Sequence, residues 1–179
     1  MILENDAAEC PHDWQQIIAA ALHERGVAAA AYVPDTRLDG ILVRLGQLGT
    51  SLRSLSREEE CIGYACGQLM AGARAAALFQ SSGLGNAVNA LAGLAVPYRL
   101  GVPLIISMRG TLGEANPSQI PGGRIVVPIL DALGIQSFMV RRADEVGEVV
   151  AGVLTLCFDA HESAAVLLGP GLGGGSERT

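Results

Sequence analysis

Apolar residues are arranged along this chain in two alternating ways. Short runs that are apolar almost throughout occupy 27–33, 75–80, 102–108, 135–140 and 164–168. Between them lie longer stretches in which apolar residues return every three or four positions. The first pattern predicts strands buried on both faces, and the second predicts amphipathic helices. Over 12–25, Trp14, Ile17, Ile18, Ala21 and Leu22 share one helical face, and Gly26 ends the segment. Further helices are expected over 38–48, 57–74, 84–100, 125–133 and 143–160, with a short strand over 51–56.

Strand and helix therefore alternate about six times. That order predicts an α/β fold: one doubly wound domain with a mainly parallel six-stranded sheet and helices on both faces. Ligands of such sheets bind beyond the carboxyl ends of the strands. The loops there are 34–37, 56–60, 81–86 and 109–123, and they hold most of the conspicuous polar residues. Residues 1–11 read as a flexible arm, 12–168 as the domain, and 169–179 as a flexible Gly-rich tail. Neither an internal repeat nor a domain boundary is evident.

Composition narrows the function. A length of 179 residues suits one domain, and half the residues are hydrophobic against 17% charged. So apolar a chain implies either a doubly covered sheet or a large subunit interface. The net charge is −6 and all 12 basic residues are arginine, so nucleic acid is not an expected partner. The absence of lysine excludes a lysine Schiff base and a P-loop lysine. Cys10, Cys61, Cys66 and Cys157 form no Cys-x-x-Cys pair and read as buried free thiols. The acidic N-terminus lacks the form of a signal peptide, and no apolar run approaches a membrane span. The expected location is the cytoplasm.

Candidate chemistry gathers in the rim loops. Gly83-Leu84-Gly85 follows a strand and opens a helix, but Val88 stands where a dinucleotide fingerprint requires a third glycine. Two readings of this turn stay open. It is a close-packing device, or it shapes a ligand site with Ser81, Ser82, Asn86 or Asn89 as polar contacts. Glu58, Glu59 and Glu60 suit the first turn of a helix, where Ser56 is a candidate cap. Alternatively, one of them turns inward to the rim. Ile62, Ala65, Cys66 and Leu69 define the apolar face; Glu58 and Glu59 lie nearest to it, and Glu60 is expected to be exposed. The loop from Arg109 to Arg124 is long, and its arginines either grip an anion or are solvated. Asp35 is a rim carboxylate or a turn residue.

Taken together, several segments resemble one family over about residues 12–168. They are Val33-Pro34-Asp35, the helix from Arg57-Glu58 to Ala65-Cys66-Gly67, Gln80 to Asn89, Arg109-Gly110, Gly123-Arg124, and Leu130 to Gly134. They resemble the pyrimidine-binding domain of thiamine-diphosphate-dependent decarboxylases. The nearest likeness is to the alpha subunit of sulfopyruvate decarboxylase and the N-terminal half of phosphonopyruvate decarboxylase. The family's signature glutamate precedes the glycine of an Ala-Ala-Gly-like triplet, here Gly67, by nine residues, which implies Glu58 as the catalytic carboxyl. It would contact N1′ of the aminopyrimidine and share a proton with it, and the cofactor would supply the remaining chemistry.

The same resemblance implies that Gly83, Leu84, Gly85 and Asn86 line the cofactor. Asp35, Ser82, Asn89, Arg109, Gln119 and Arg124 become candidates for binding a small anionic 2-oxo acid. Gln119 stands in the neighbourhood where many phosphonopyruvate decarboxylases have a histidine. The chain lacks the family's Gly-Asp-Gly segment and its downstream Asn. No metal site is therefore expected on this chain. A separate beta subunit would hold Mg²⁺ and the diphosphate, in a heterotetramer or larger assembly. A carboligase subunit and a non-catalytic partner subunit are the alternatives.

Overall fold

The computed structural model describes residues 13–172. The chain runs α1 (Trp14–Glu24), β1 (Val27–Tyr32), α2 (Asp39–Gln47), β2 (Ser51–Ser54), α3 (Glu58–Met70) and β3 (Arg74–Gln80). It continues through a 3₁₀ turn (Ser81–Gly83), α4 (Leu84–Ala90), a π-helical turn (Leu91–Ala95) and β4 (Pro103–Ser107). Then come α5 (Gln119–Arg124), α6 (Val126–Ala132), β5 (Gln136–Val140), a 3₁₀ turn (Ala143–Glu145), α7 (Val146–Phe158) and β6 (Ala164–Leu168). The six strands form one sheet in the order β2-β1-β3-β4-β6-β5, and every pairing is parallel.

Alternate residues of the strands divide the core in two. Ala30, Ala76, Leu78, Ile105 and Val166 face α1, α2 and α7. Ala29, Ala31, Ala77, Phe79, Leu104 and Leu167 face α3, α4 and α6. Each fully buried Leu or Phe contributes on the order of 2 kcal/mol relative to exposure. On the second face alanines of β1 and β3 meet Cys61, Ala65 and Cys66 of α3. Small side chains on both partners bring α3 down onto the sheet, and this sets the position of its first residue, Glu58.

The chain leaves β1 toward β2 but leaves β3 toward β4, so the winding reverses between β1 and β3. A doubly wound sheet opens its ligand crevice at such a reversal, beyond the carboxyl ends of the strands. The loop with Asp35 follows β1, and Ser81 follows β3.

Several expected boundaries change. The long helix over 84–100 is α4 followed by a π-widened turn, with irregular chain around Pro97. The segment 109–123, read as one open loop, contains the short helix α5. Residues 169–172, assigned to a flexible tail, are packed, with Gly169 N–H donating to the Val140 carbonyl (2.8 Å) and Leu172 buried. The expected arm and the rest of the tail lie outside the described residues, as does Cys10. Cys61, Cys66 and Cys157 are buried free thiols, and burial above all pushes their pKa values up to about 12, 11 and 12. Among the described residues no helix is long and apolar enough to cross a membrane.

Candidate active site

The three glutamates that open α3 have separate fates. Glu60 turns back, and its carboxylate accepts hydrogen bonds from the backbone N–H groups of Ser56 and Arg57, both at 3.1 Å. The residue that caps α3 is Arg57, so Ser56 does not serve as the N-cap. Glu59 pairs with Arg57. Glu58 alone turns inward and is only 8% exposed. Asn86 Nδ2 donates to its Oε2 at 2.9 Å, while its Oε1 accepts no hydrogen bond among the described residues.

Gly83 is the floor beneath this carboxylate. A Cβ there would overlap Oε1, Cδ and Cγ of Glu58. The need for glycine is steric, because φ at Gly83 is −87°, which any residue adopts. Leu84 points into the core, and Gly85 and Asn86 are exposed on α4. Glu58, Gly83 and Asn86 are thus brought together, across the turn that joins β3 to α4.

A second polar group lies at the ends of β1, β4 and β6. Ser107, fully buried at the end of β4, donates through Oγ to Asp35 Oδ2. The backbone N–H of Arg37 donates to Asp35 Oδ1 at 3.3 Å. The Arg37 guanidinium crosses the strand ends. Its Nη1 donates to the carbonyls of Met108 (3.2 Å) and Leu168 (3.4 Å), and its Nη2 to that of Gly169 (2.8 Å). Its pKa is lowered, with burial the largest cause; Asp35 opposes the shift and the like charge of Arg109 adds to it.

The loop after β4 is held from within. Arg109 makes a bidentate pair with Glu114, Nε to Oε2 at 2.8 Å and Nη2 to Oε1 at 3.1 Å. Glu114 also accepts from the N–H groups of Gly110 and Asn116. These donors, Arg109 first, hold its pKa down to about 2. Ser81 Oγ accepts from Arg109 N–H at 3.0 Å and ties the loop to the end of β3. Close approaches seat α5 on this frame. A Cβ on Gly123 would overlap the Arg109 carbonyl, and Gly122 rests on Ser82.

Because the Glu114 pKa lies below the unfolded value of about 4.3, the pair stabilises the loop above that pH. Its contribution is lost as pH falls from there toward 2. In a carbon-detected NMR titration the Glu114 carboxyl is expected to titrate near 2, and to return to the ordinary range in Arg109→Gln. A midpoint near 4.3 in the unmodified chain would exclude this pairing.

Comparison with known proteins is consistent with this architecture. No family model matches the chain. The sulfopyruvate decarboxylase subunit alpha of Methanothermobacter thermautotrophicus is 34% identical over 157 residues, which cover 87% of this chain and 95% of that protein. The chain belongs to the family of sulfopyruvate decarboxylase alpha subunits. A sulfopyruvate decarboxylase of Methanosarcina acetivorans is 26% identical over 156 residues, but these are 40% of that longer chain. A phosphonopyruvate decarboxylase of Streptomyces viridochromogenes is 33% identical over 116 residues, 64% of this chain and 29% of that one. Among solved structures, a 2-oxoglutarate:ferredoxin oxidoreductase from Magnetococcus marinus superposes with a TM-score of 0.68 at 13% identity. That match covers 89% of this chain and 29% of the larger one, and it shows a shared fold.

Within this alpha-subunit fold the candidate residues separate into groups. Asp35 and Arg109 sit at the rim and are engaged by neighbours, as described. Gln119 opens α5, and its Oε1 is buried without a hydrogen-bond partner among the described residues. Ser82 is exposed and donates to Gln80 Oε1 (2.8 Å). Asn89 is exposed on α4, and Arg124, at the end of α5, is exposed with no ion pair among the described residues. Sequence reasoning passed over Arg37, Glu114 and Ser107. The spacing of Glu114 five residues after Arg109, with two glycines between, was a usable signal for the loop pair. No local signal marked Arg37.

Proposed function

We propose that this chain is the cofactor-activating subunit of a thiamine-diphosphate-dependent 2-oxo acid decarboxylase, acting on a sulfopyruvate-like substrate. The observation that carries the reading is the Glu58 carboxylate. It is buried at the rim and fixed through one oxygen by Asn86, while the other oxygen, above a glycine, has no hydrogen-bond partner among the described residues. A carboxylate oxygen that accepts no hydrogen bond among the described residues fits a weakly basic ring nitrogen, with which it can share a proton.

Glu58 would hold the aminopyrimidine, with the turn at Gly83 and Gly85 as a wall. Thiamine diphosphate, when bound, supplies the electron sink that loss of carbon dioxide from a 2-oxo acid requires. The protein's own part at this site is to orient the ring, exclude water, and hold or release one proton at Glu58 Oε1. The name of the alpha-subunit relatives and the length of the Methanosarcina chain support a second polypeptide, or a second domain; on the family resemblance it would bind Mg²⁺ and the diphosphate. The active site would then lie between the two.

The test is reconstitution with a second chain carrying Gly-Asp-Gly and a downstream Asn. Carbon dioxide release from sulfopyruvate should require both chains, thiamine diphosphate and Mg²⁺. Turnover by this chain alone, or inactivity of the pair across 2-oxo acids, would sink the proposal. Analysis of the carbon products separates decarboxylation from carboligation.

A further inference from the structure

The carboxyl ends of parallel strands present carbonyl oxygens, which repel an anionic substrate. Arg37 reverses that charge at the point where β4 and β6 end, by spanning the carbonyls of Met108, Leu168 and Gly169. Those bonds use three of its five N–H donors, so Nε–H and one Nη2 proton make no hydrogen bond among the described residues. The next residue after Met108 is Arg109. Its bonds to Glu114 use Nε and Nη2, and neither Nη1 proton makes a hydrogen bond among the described residues. Asp35 beside Arg37 and Glu114 beside Arg109 balance the two positive charges without occupying these donors. The Met108 carbonyl that Arg37 holds at 3.2 Å immediately precedes Arg109, which puts Arg109 at the strand end that Arg37 spans, and the like charge of Arg109 adds to the lowering of the Arg37 pKa. An anion held by both would relieve that repulsion, and the free Nε–H and Nη2 proton of Arg37 with the Nη1 protons of Arg109 suit an oxyanion with several acceptor oxygens.

We infer that Arg37 and Arg109 together form the subsite for the second acidic group of the substrate, the sulfonate of a sulfo-2-oxo acid, with Arg124 outside it. This rests on the decarboxylase reading above. It assigns substrate choice to the β1 and β4 loops, away from the Glu58 turn. It also makes Arg109 a partner of Arg37, which lies 72 positions earlier in the chain, in place of Arg124 on its own loop.

Two measurements test it. The first follows the arginine Nε–Hε resonances of the full chain during titration with sulfoacetate, and with acetate at matched ionic strength. Arg37 and Arg109, assigned through their lysine variants, should shift saturably with sulfoacetate and stay still with acetate. Shifts confined to Arg124, or shared equally by all arginines, would overturn the assignment. The second measures the reconstituted pair carrying Arg37→Lys, which keeps the charge but loses the fork. Its KM for sulfopyruvate should rise about tenfold to a hundredfold, the loss of one or two charge-assisted hydrogen bonds, while the KM for pyruvate changes less than about twofold.

A merely structural role for Arg37 would move both substrates alike, and that result overturns the inference while leaving the decarboxylase reading standing. Conversely, specific shifts at Arg37 and Arg109 in a chain whose complex decarboxylates nothing would support the anion subsite and defeat the decarboxylase reading.

Discussion

Glu58→Gln is expected to reduce turnover of the reconstituted enzyme by about a hundredfold to ten-thousandfold, the usual range for losing a positioned acid–base group. The change is nearly isosteric. The glutamine carbonyl can still accept from Asn86 Nδ2, and the side chain still rests on Gly83. What disappears is the second oxygen, replaced by an amide that cannot take up a proton. The negative charge at the start of α3 is also lost, at a cost of about 0.3–1 kcal/mol, so the variant should melt within a few degrees of the parent. Steady-state rates at saturating thiamine diphosphate, measured beside thermal unfolding, separate the two effects. Full turnover in a folded Glu58→Gln enzyme would reject a catalytic role for this carboxylate and favour a non-catalytic partner subunit.

Helical spacing separated Glu60 from Glu58 and Glu59 but did not choose between those two; Glu58 was singled out by the family resemblance. Ile62, Ala65, Cys66 and Leu69 fix the buried face of α3, and a residue one turn before Ile62 must enter the protein near that face. The four central strands, β1, β3, β4 and β6, were legible for a related reason: both faces of the sheet are covered there, so each is apolar almost throughout. Helix α5 was not. Gln-Ile-Pro-Gly-Gly-Arg has the composition of a loop, and its Pro and Gly residues oppose helix in isolation. Packing reverses that preference, because only glycine at position 123 lets the segment rest on the Arg109 carbonyl. Arg37 was hidden differently. Its acceptors come from β4 and β6, up to 132 positions away, and become neighbours only when the sheet is assembled. The sequence around it shows nothing more than a charged residue after a turn.

Gly83→Ala is expected to match Glu58→Gln in lost activity, although it removes no functional group. The added methyl would occupy the place of the Glu58 carboxylate. A flexible acid on the surface would swing aside at little cost, but this one is buried and held by Asn86. Moving it breaks that bond and displaces the proton-sharing oxygen. Overpacking of this kind costs about 1–3 kcal/mol. If the clash with Glu58 is the cause, the cost should largely vanish when the carboxylate is removed. In a double-mutant cycle, Gly83→Ala should therefore destabilise the parent more than it destabilises Glu58→Ala, with a coupling of about 0.5–3 kcal/mol. Urea unfolding of the four proteins gives the coupling directly. Additive losses, or a Gly83→Ala enzyme with parental turnover, would mean that Glu58 has another resting place. The unpaired oxygen above Gly83 would then not be the group that meets the cofactor, and the case for this turn as the wall of the site would fall with it.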